Sequence, residues 1–225
     1  MTVRYYPDME QGSEAWHAIR CGMLTASEIK LIITPKTLKA ADNDKEKQHL
    51  YELLAQRVTR YVEPHYVSDD MLRGREDEID AKLLYDEKYA PVTDCGFVTN
   101  DEWGFEIGYS PDAMVRDDGQ VEFKSRLQKH HAATIIEGAM PSDFMLQVQT
   151  GLLVTQRKWC DFGSYCGGMP MFVTRIYPDD TVQDAIVMAA TAFEQRLEVA
   201  LAKYERAVIG LFPTERRTYE DIIAS

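Results

Sequence analysis

The sequence is short of positive charge. Its 25 Lys and Arg stand against 37 Asp and Glu, a formal net charge of −12 at pH 7. The chain therefore has no general positive field with which to coat nucleic acid, and any such contact must be confined to a groove or channel. It also lacks paired cysteines. Cys21, Cys95, Cys160 and Cys166 are widely spread, with no C-x-x-C spacing, which speaks for reduced thiols and against a zinc or iron–sulfur site. No apolar run reaches the roughly 18 residues of a membrane span. The opening MTVRYYPDMEQ has no basic stretch followed by an apolar one, so it does not read as a secretory signal, and a cytoplasmic location is expected. Linker-like Gly/Ser or Pro-rich tracts and internal repeats are missing too. The 225 residues are thus expected to form a single domain, 1–225, long enough to bury a sizeable core.

What is there changes period along the chain. Residues 12–33 suggest a short helix, a loop and a second helix, with Thr25 and Ser27 as caps. Residues 45–62 are amphipathic, with Pro64 ending the helix. Residues 72–90 predict a third long helix with Ile79, Leu83, Leu84 and Tyr89 on its apolar side. Then CGFVTN, GFEIGYS and QVEFKS alternate apolar and polar residues, as strands do. Asp101–Glu102 and Asp117–Asp118–Gly119 supply the turns between them. Residues 142–155 look helical, CDFGSYC and MFVTRIY form a hairpin around Gly167–Gly168, and a helix from Asp180 to about Val208 carries Val187, Ala190, Phe193, Leu197, Leu201 and Tyr204 on one face. Helices, a mostly antiparallel sheet, then helices again make an α+β or mixed α/β core.

The stretch SPDAMVRDDGQVEFK, residues 110–124, is where chemistry concentrates. Residues i and i+2 of a strand share a face, so Glu122 and Lys124 point the same way. The turn at 117–119 folds the chain back and lets Asp112 converge on them. Hard divalent cations such as Mg²⁺ take carboxylate, carbonyl and water oxygens, and the main-chain carbonyl of Phe123 is a further candidate. Such a site lowers the pKa of water and offsets the charge that develops in phosphodiester hydrolysis, with Lys124 placed to hold the water or help deprotonate it. By itself the pattern is short, and a solvated hairpin with scattered charge is the readier explanation of it.

Four segments together resemble the phage lambda exonuclease family, the viral recombinase branch of the PD-(D/E)xK nucleases. They are EAWHAIRCGMLTASEI (14–29), RGREDEIDAKLLYDE (73–87), GYSPDAMV with VEFKS (108–125) and MLQVQTGLLVT (145–155). They stand in the family's order and cover about residues 10–160. The resemblance implies a restriction-endonuclease-like core with a central mixed β-sheet flanked by helices. It implies a processive 5′-to-3′ exonuclease on double-stranded DNA that leaves 3′ single-stranded overhangs for recombination by strand annealing. It further implies two Mg²⁺ ions per site, for which Mn²⁺ can substitute, a toroidal homotrimer threaded by DNA, a single-strand annealing recombinase as partner, and the cytoplasm of a bacterial host cell as the place of action.

Carried over by position, Asp112, Glu122 and Glu78 match the metal-holding acids, Lys124 the catalytic lysine, and Gln147 the glutamine beside it. Gln149, two residues on, points elsewhere on a helix. Arg20 and Ser27 match the pocket for the 5′-phosphate, where a planar guanidinium suits phosphate oxygens, and Ser110 matches a serine near the same phosphate. Met71 is aligned with an apolar wedge between the strands. In KSRLQKHH, residues 124–131, the family's proline after Glu-x-Lys is missing; Arg126, Lys129, His130 and His131 are candidate backbone contacts, as are Arg216 and Arg217. Trp16 is expected to pack the first helix onto the core. Two rival readings remain open. An endonuclease on the same fold has no use for the Arg20–Ser27 pocket, and a non-cleaving end-binding protein has none for Asp112, Glu122 and Lys124.

Overall fold

A computed structural model describes residues 2–64 and 68–216. Two sheets carry the molecule. The first has the order β1–β6–β7–β2, from β1 (Val3–Tyr6), β2 (Leu24–Thr25), β6 (Phe97–Asn100) and β7 (Ile107–Tyr109). The second has the order β11–β10–β9–β8–β5, from β5 (Val92–Thr93), β8 (Ala113–Val115), β9 (Gly119–Ser125), β10 (Trp159–Tyr165) and β11 (Phe172–Ile176). A small ribbon pairs β3 (Ile33–Thr34) with β4 (Lys39–Ala40). The helices are α1 (Glu14–Arg20), α2 (Asp44–Thr59), α3 (Asp69–Lys88), α4 (Gln128–Glu137), α5 (Met145–Thr155) and α6 (Asp180–Ala207).

The fold is mixed α/β, with mixed sheets flanked by helices, as expected. The sheets are less antiparallel than the sequence suggests. β9 and β10 run parallel from Trp159↔Gly119 to Tyr165↔Ser125, and β2 runs parallel to β7. Parallel neighbours need a long crossover, and here α4 and α5 supply it. The α4 helix itself was hidden in the basic window 124–131, whose charges mask its apolar spacing.

Strand β9 is buried on both faces, although its sequence alternates. The α3 helix covers one face: Ala81 and Tyr85 pack with Val121, Phe123 and Trp159. This corrects the apolar side expected for α3, since Ile79 and Leu83 are exposed. The inward stripe is instead Asp77–Glu78–Ala81–Tyr85, a line of small, acidic and aromatic residues that a search for large aliphatics misses. On the other side lie α5 and α6, whose Leu146, Val154, Ile186, Phe193 and Leu197 join Leu24, Ile107 and Tyr109 in the largest core cluster.

Local chemistry decides several boundaries. Asn43 Oδ1 accepts from the N–H groups of Lys45 and Glu46 and starts α2. The helix ends at Thr59 rather than at Pro64, because Arg60 turns left-handed with φ 53°. The second helix expected before residue 33 is only a 3-10 turn at Ile29–Leu31 after the short strand β2. The 160–177 hairpin and the long final helix form as expected.

Candidate active site

Pro111 has no N–H to give a ladder, and β7 stops at Tyr109. The chain crosses Ser110–Pro111–Asp112 and enters the second sheet as β8. Asp112 thus belongs to no strand, and its Oδ2 accepts the Phe123 N–H at 2.5 Å. That N–H lies beyond the last β8–β9 pair, Ala113↔Val121, so the carboxylate takes over where the ladder ends. The N–H and C=O of one extended residue leave on the same side of a strand, which turns the Phe123 carbonyl toward the Asp112 edge.

Glu122 and Lys124 share a face of β9, as their spacing predicts. Lys124 Nζ donates to Glu122 Oε1 at 2.6 Å. Gln147 Nε2, from the first turn of α5, donates to the same oxygen, and the Tyr109 hydroxyl donates to Oε2 at 2.7 Å. Three donors compensate the burial of a carboxylate that is only 1% exposed; without them its desolvation would be prohibitive. Gln149 does point elsewhere: its amide donates to Tyr177 O and accepts from the Asp179 N–H, tying down the start of α6.

Glu78, on α3, reaches the same cleft beside Asp112 and Glu122. Burial first, then the charges of Glu122 and Glu78, push Asp112 well above the usual carboxylate range. Burial and Glu122 raise Glu78 in the same way. For Lys124 burial acts downward, but Glu122, Asp112 and Glu78 outweigh it and the ammonium is pushed up to about 12.

These residues line one cleft of about 200 Å³, together with Gln11, Trp16, Arg20, Thr25, Ala26, Ser27, Tyr109 and Ser110. The two ends of the sequence pattern, residues 20–27 and 112–147, therefore meet. Arg20 stands with its guanidinium 4.1 Å over the Trp16 ring and its Nη2 3.4 Å from Thr25 Oγ1. Burial draws its pKa down from the usual value, while Glu28 acts in the opposite sense. Trp16 Nε1 donates to Ser110 Oγ at 2.9 Å, and Ser27 Oγ lies 3.3 Å from Thr25 Oγ1. Trp16 is thus a wall of the cleft and not the core anchor expected of it. Ser27 is exposed and precedes only a 3-10 turn, so it brings a hydroxyl without a long helix behind it.

Other candidates fall outside. Arg126 lies beside the cleft, 5.1 Å from the Phe144 ring that also faces Lys124 at 5.8 Å. His131 is fully buried between Ser164 Oγ and Pro170 O, which removes it from any surface contact. Lys129 and His130 stay exposed on α4. Arg216 stacks on Tyr61 at 3.7 Å. The Met71 side chain and Arg217 lie outside the described residues. Tyr109 and Trp16 are the aromatic cleft residues whose place the sequence reading missed, and Gln11 and Ala26 also line the cleft without having been singled out. Both aromatics look like core residues in the sequence; the available signal was that a buried phenol or indole needs a polar partner.

The donor set suits a hard divalent cation: Asp112, Glu78, Glu122 and a main-chain carbonyl are all oxygens. Burial first, and then the charges of neighbouring carboxylates, lift the pKa values of Asp112 and Glu78, and an added cation offsets the repulsion among the carboxylates. As the side chains stand, Glu122 faces Lys124, Gln147 and Tyr109. Among the described residues no group of three His, Cys, Asp or Glu forms a ready coordination shell.

Residues 15–158 match the YqaJ-like viral recombinase domain. The chain belongs to that family. No curated protein matches it, but solved structures do. An alkaline exonuclease, LHK-Exo from Laribacter hongkongensis, superposes with TM-score 0.78 at 31% identity, covering 89% of this chain and 100% of its own. The LHK-Exo complex with dAMP matches equally well at 33% identity. A phage-related exonuclease from Haemophilus somnus 129PT shares the fold with TM-score 0.60 at 14% identity, over 81% of this chain and 96% of its own. The YqaJ-like assignment agrees with the lambda exonuclease resemblance of the four motifs and with a PD-(D/E)xK-type core.

Proposed function

We propose that this YqaJ-like protein is a single-domain DNA exonuclease that digests one strand of duplex DNA from its 5′ end. The observation that carries the reading is the shared cleft. A guanidinium and two serine hydroxyls, Arg20, Ser27 and Ser110, stand beside Asp112, Glu122, Glu78, Lys124 and Gln147. A cutter of internal bonds needs the second set only; an enzyme that starts from a phosphorylated end uses both.

On this reading Arg20 and the serines bind the terminal phosphate and set the register of the strand. Asp112, Glu122, Glu78 and the Phe123 carbonyl would hold two Mg²⁺ ions, or Mn²⁺ in their place, which when bound would lower the pKa of the attacking water and offset charge on the phosphate. Lys124, which donates to Glu122 Oε1 at 2.6 Å, orients the attacking water. Gln147 steadies that end of the site. Family membership supports the remaining expectations: processive 5′-to-3′ digestion by a homotrimeric ring, delivery of the 3′ strand to a single-strand annealing recombinase, and action in the cytoplasm of a bacterial host during phage-type recombination. Among the described residues no helix is long and apolar enough to cross a membrane.

The test is a digest of linear and closed-circular duplex DNA, labelled separately at the 5′ and 3′ ends, with Mg²⁺ and with EDTA. Early Mg²⁺-dependent release of the 5′ label with circles intact is the expected result. Cut circles point to an endonuclease, and binding without cutting to an end-capping protein. Arg20→Ala should slow digestion of 5′-phosphorylated ends about 10- to 100-fold, the worth of a charge-assisted hydrogen bond, and leave 5′-hydroxyl ends little changed. Equal effects on both ends would remove Arg20 from the phosphate pocket.

A further inference from the structure

We propose that Tyr109 is a positioning residue for this cleft, its hydroxyl fixing the plane of the Glu122 carboxylate for cation binding from inside the core. The proposal rests on the metal-dependent reading above. Tyr109 is 1% exposed at the end of β7, yet it borders the cleft. Its ring packs with Leu24, Ile107 and Leu146, a task that phenylalanine could perform equally. What phenylalanine could not do is donate to Glu122 Oε2 at 2.7 Å.

A carboxylate has two oxygens, each with two lone-pair sites. Lys124 and Gln147 both address Oε1. With these alone the group could still turn about its Cγ–Cδ bond. The phenol pins the second oxygen, so the plane is held at both ends while one lone-pair site, on Oε2, remains for a ligand.

A second, independent observation is the room made for the ring. A Cβ at Gly151 would meet Tyr109 Cζ at 2.8 Å and Cε1 at 3.0 Å, and Gln120 Nε2 at 2.9 Å. Gly151 lies four residues after Gln147 on α5, hence on the same helix face. One helix face thus presents the amide that binds one oxygen of Glu122 and the slot that admits the phenol binding the other.

The experiment compares wild type, Tyr109→Phe and Gly151→Ala as full chains. Mg²⁺ binding is measured by calorimetry without DNA, and kcat and KM on 5′-phosphorylated duplex ends are measured across Mg²⁺ concentrations. Partners of metal ligands are typically worth 10- to 100-fold in affinity or activity. Tyr109→Phe is expected to weaken Mg²⁺ binding about tenfold or more and to lower kcat at limiting Mg²⁺, with partial recovery at high Mg²⁺ and an unchanged KM for ends. Gly151→Ala keeps the hydroxyl but displaces it, and should show the same Mg²⁺ defect. A purely structural tyrosine lowers the melting temperature and leaves the Mg²⁺ isotherm alone. An isotherm in folded Tyr109→Phe that matches wild type overturns the proposal. If that variant does not fold, an unchanged isotherm in Gly151→Ala overturns it, as does a wild type that binds no Mg²⁺. A wild type that binds Mg²⁺ but digests no ends sinks the exonuclease reading instead, and the isotherms still decide Tyr109.

Discussion

Lys124 sits 2.6 Å from a carboxylate that is almost wholly buried, and its charge is what makes that burial tolerable. Lys124→Ala should lower the cleavage rate by about 100-fold, the scale on which misplacing a reacting group acts. Binding of DNA ends should persist, because Arg20 and the serines are untouched. Single-turnover cleavage and a gel-shift titration on the same preparation check this; parallel loss of both would remove Lys124 from catalysis. Asp112 makes the complementary prediction. Its folded pKa is raised by burial and by Glu122 and Glu78, so the native chain keeps a proton that the unfolded chain releases. Between the ordinary carboxylate pKa and the raised one, metal-free stability falls as pH rises. Asp112→Asn removes that dependence. In EDTA it should melt above wild type at pH 8, with the gap closing as pH is lowered toward the ordinary carboxylate range. Calorimetric melts across that range test the sign, and a variant melting below wild type at pH 8 contradicts it.

At the scale of elements, β9 governs the site because it is flanked on both sides. Its edge pairing with β8 ends at Val121, and two residues later Asp112 has replaced the partner strand. Holding β9 in register against β10 depends on close approach. A Cβ at Gly119 would fall 2.1–2.4 Å from the Trp159 indole, a ring already clamped by the Arg175 guanidinium at 3.5 Å. Arg175 in turn makes a two-point ion pair with Asp161, which also accepts from the Tyr85 hydroxyl. Gly119→Ala should destabilise the fold by about 1–3 kcal/mol, the usual cost of overpacking. That amounts to several degrees in melting temperature for a chain of this length, at roughly 2–4 °C per kcal/mol. Thermal unfolding measures it, and an unchanged melting temperature would mean the indole moves freely.

For the whole molecule, a net charge of −12 has to coexist with DNA. Of the described cations at or beside the cleft, Lys124 is taken up by Glu122, which leaves Arg20 and Arg126 for phosphate. If each neutralises one phosphate, log Kd for DNA ends should change with log salt at a slope of magnitude about 2 per engaged site, since each neutralised phosphate contributes about 0.9. End-binding titrations from low to moderate salt test this; a slope near 10 would require a broad basic surface that the composition argues against. Light scattering of the full chain, whose mass is 25.8 kDa, checks the proposed trimer independently.

Much of this site could be read from the residues because strand periodicity is local. Glu122 and Lys124 had to share a face, and the proline before Asp112 had to end a strand. The order of the four motifs likewise marked the family without any coordinates. The motif match singled out Glu78 within the run Glu76–Asp77–Glu78, but only tertiary structure shows why it faces the cleft: α3 turns its small and acidic stripe inward, against β9, and leaves Ile79 and Leu83 outside. It decided that His131 is core, because α4 forms where the sequence shows mainly charge. It also made Trp16 a cleft wall and Tyr109 a donor to Glu122. A one-dimensional pattern reports which residues are apolar and how they are spaced. Which buried polar atoms become partners depends on contacts between elements far apart in the chain, and those exist only once the two sheets and α5 have packed together.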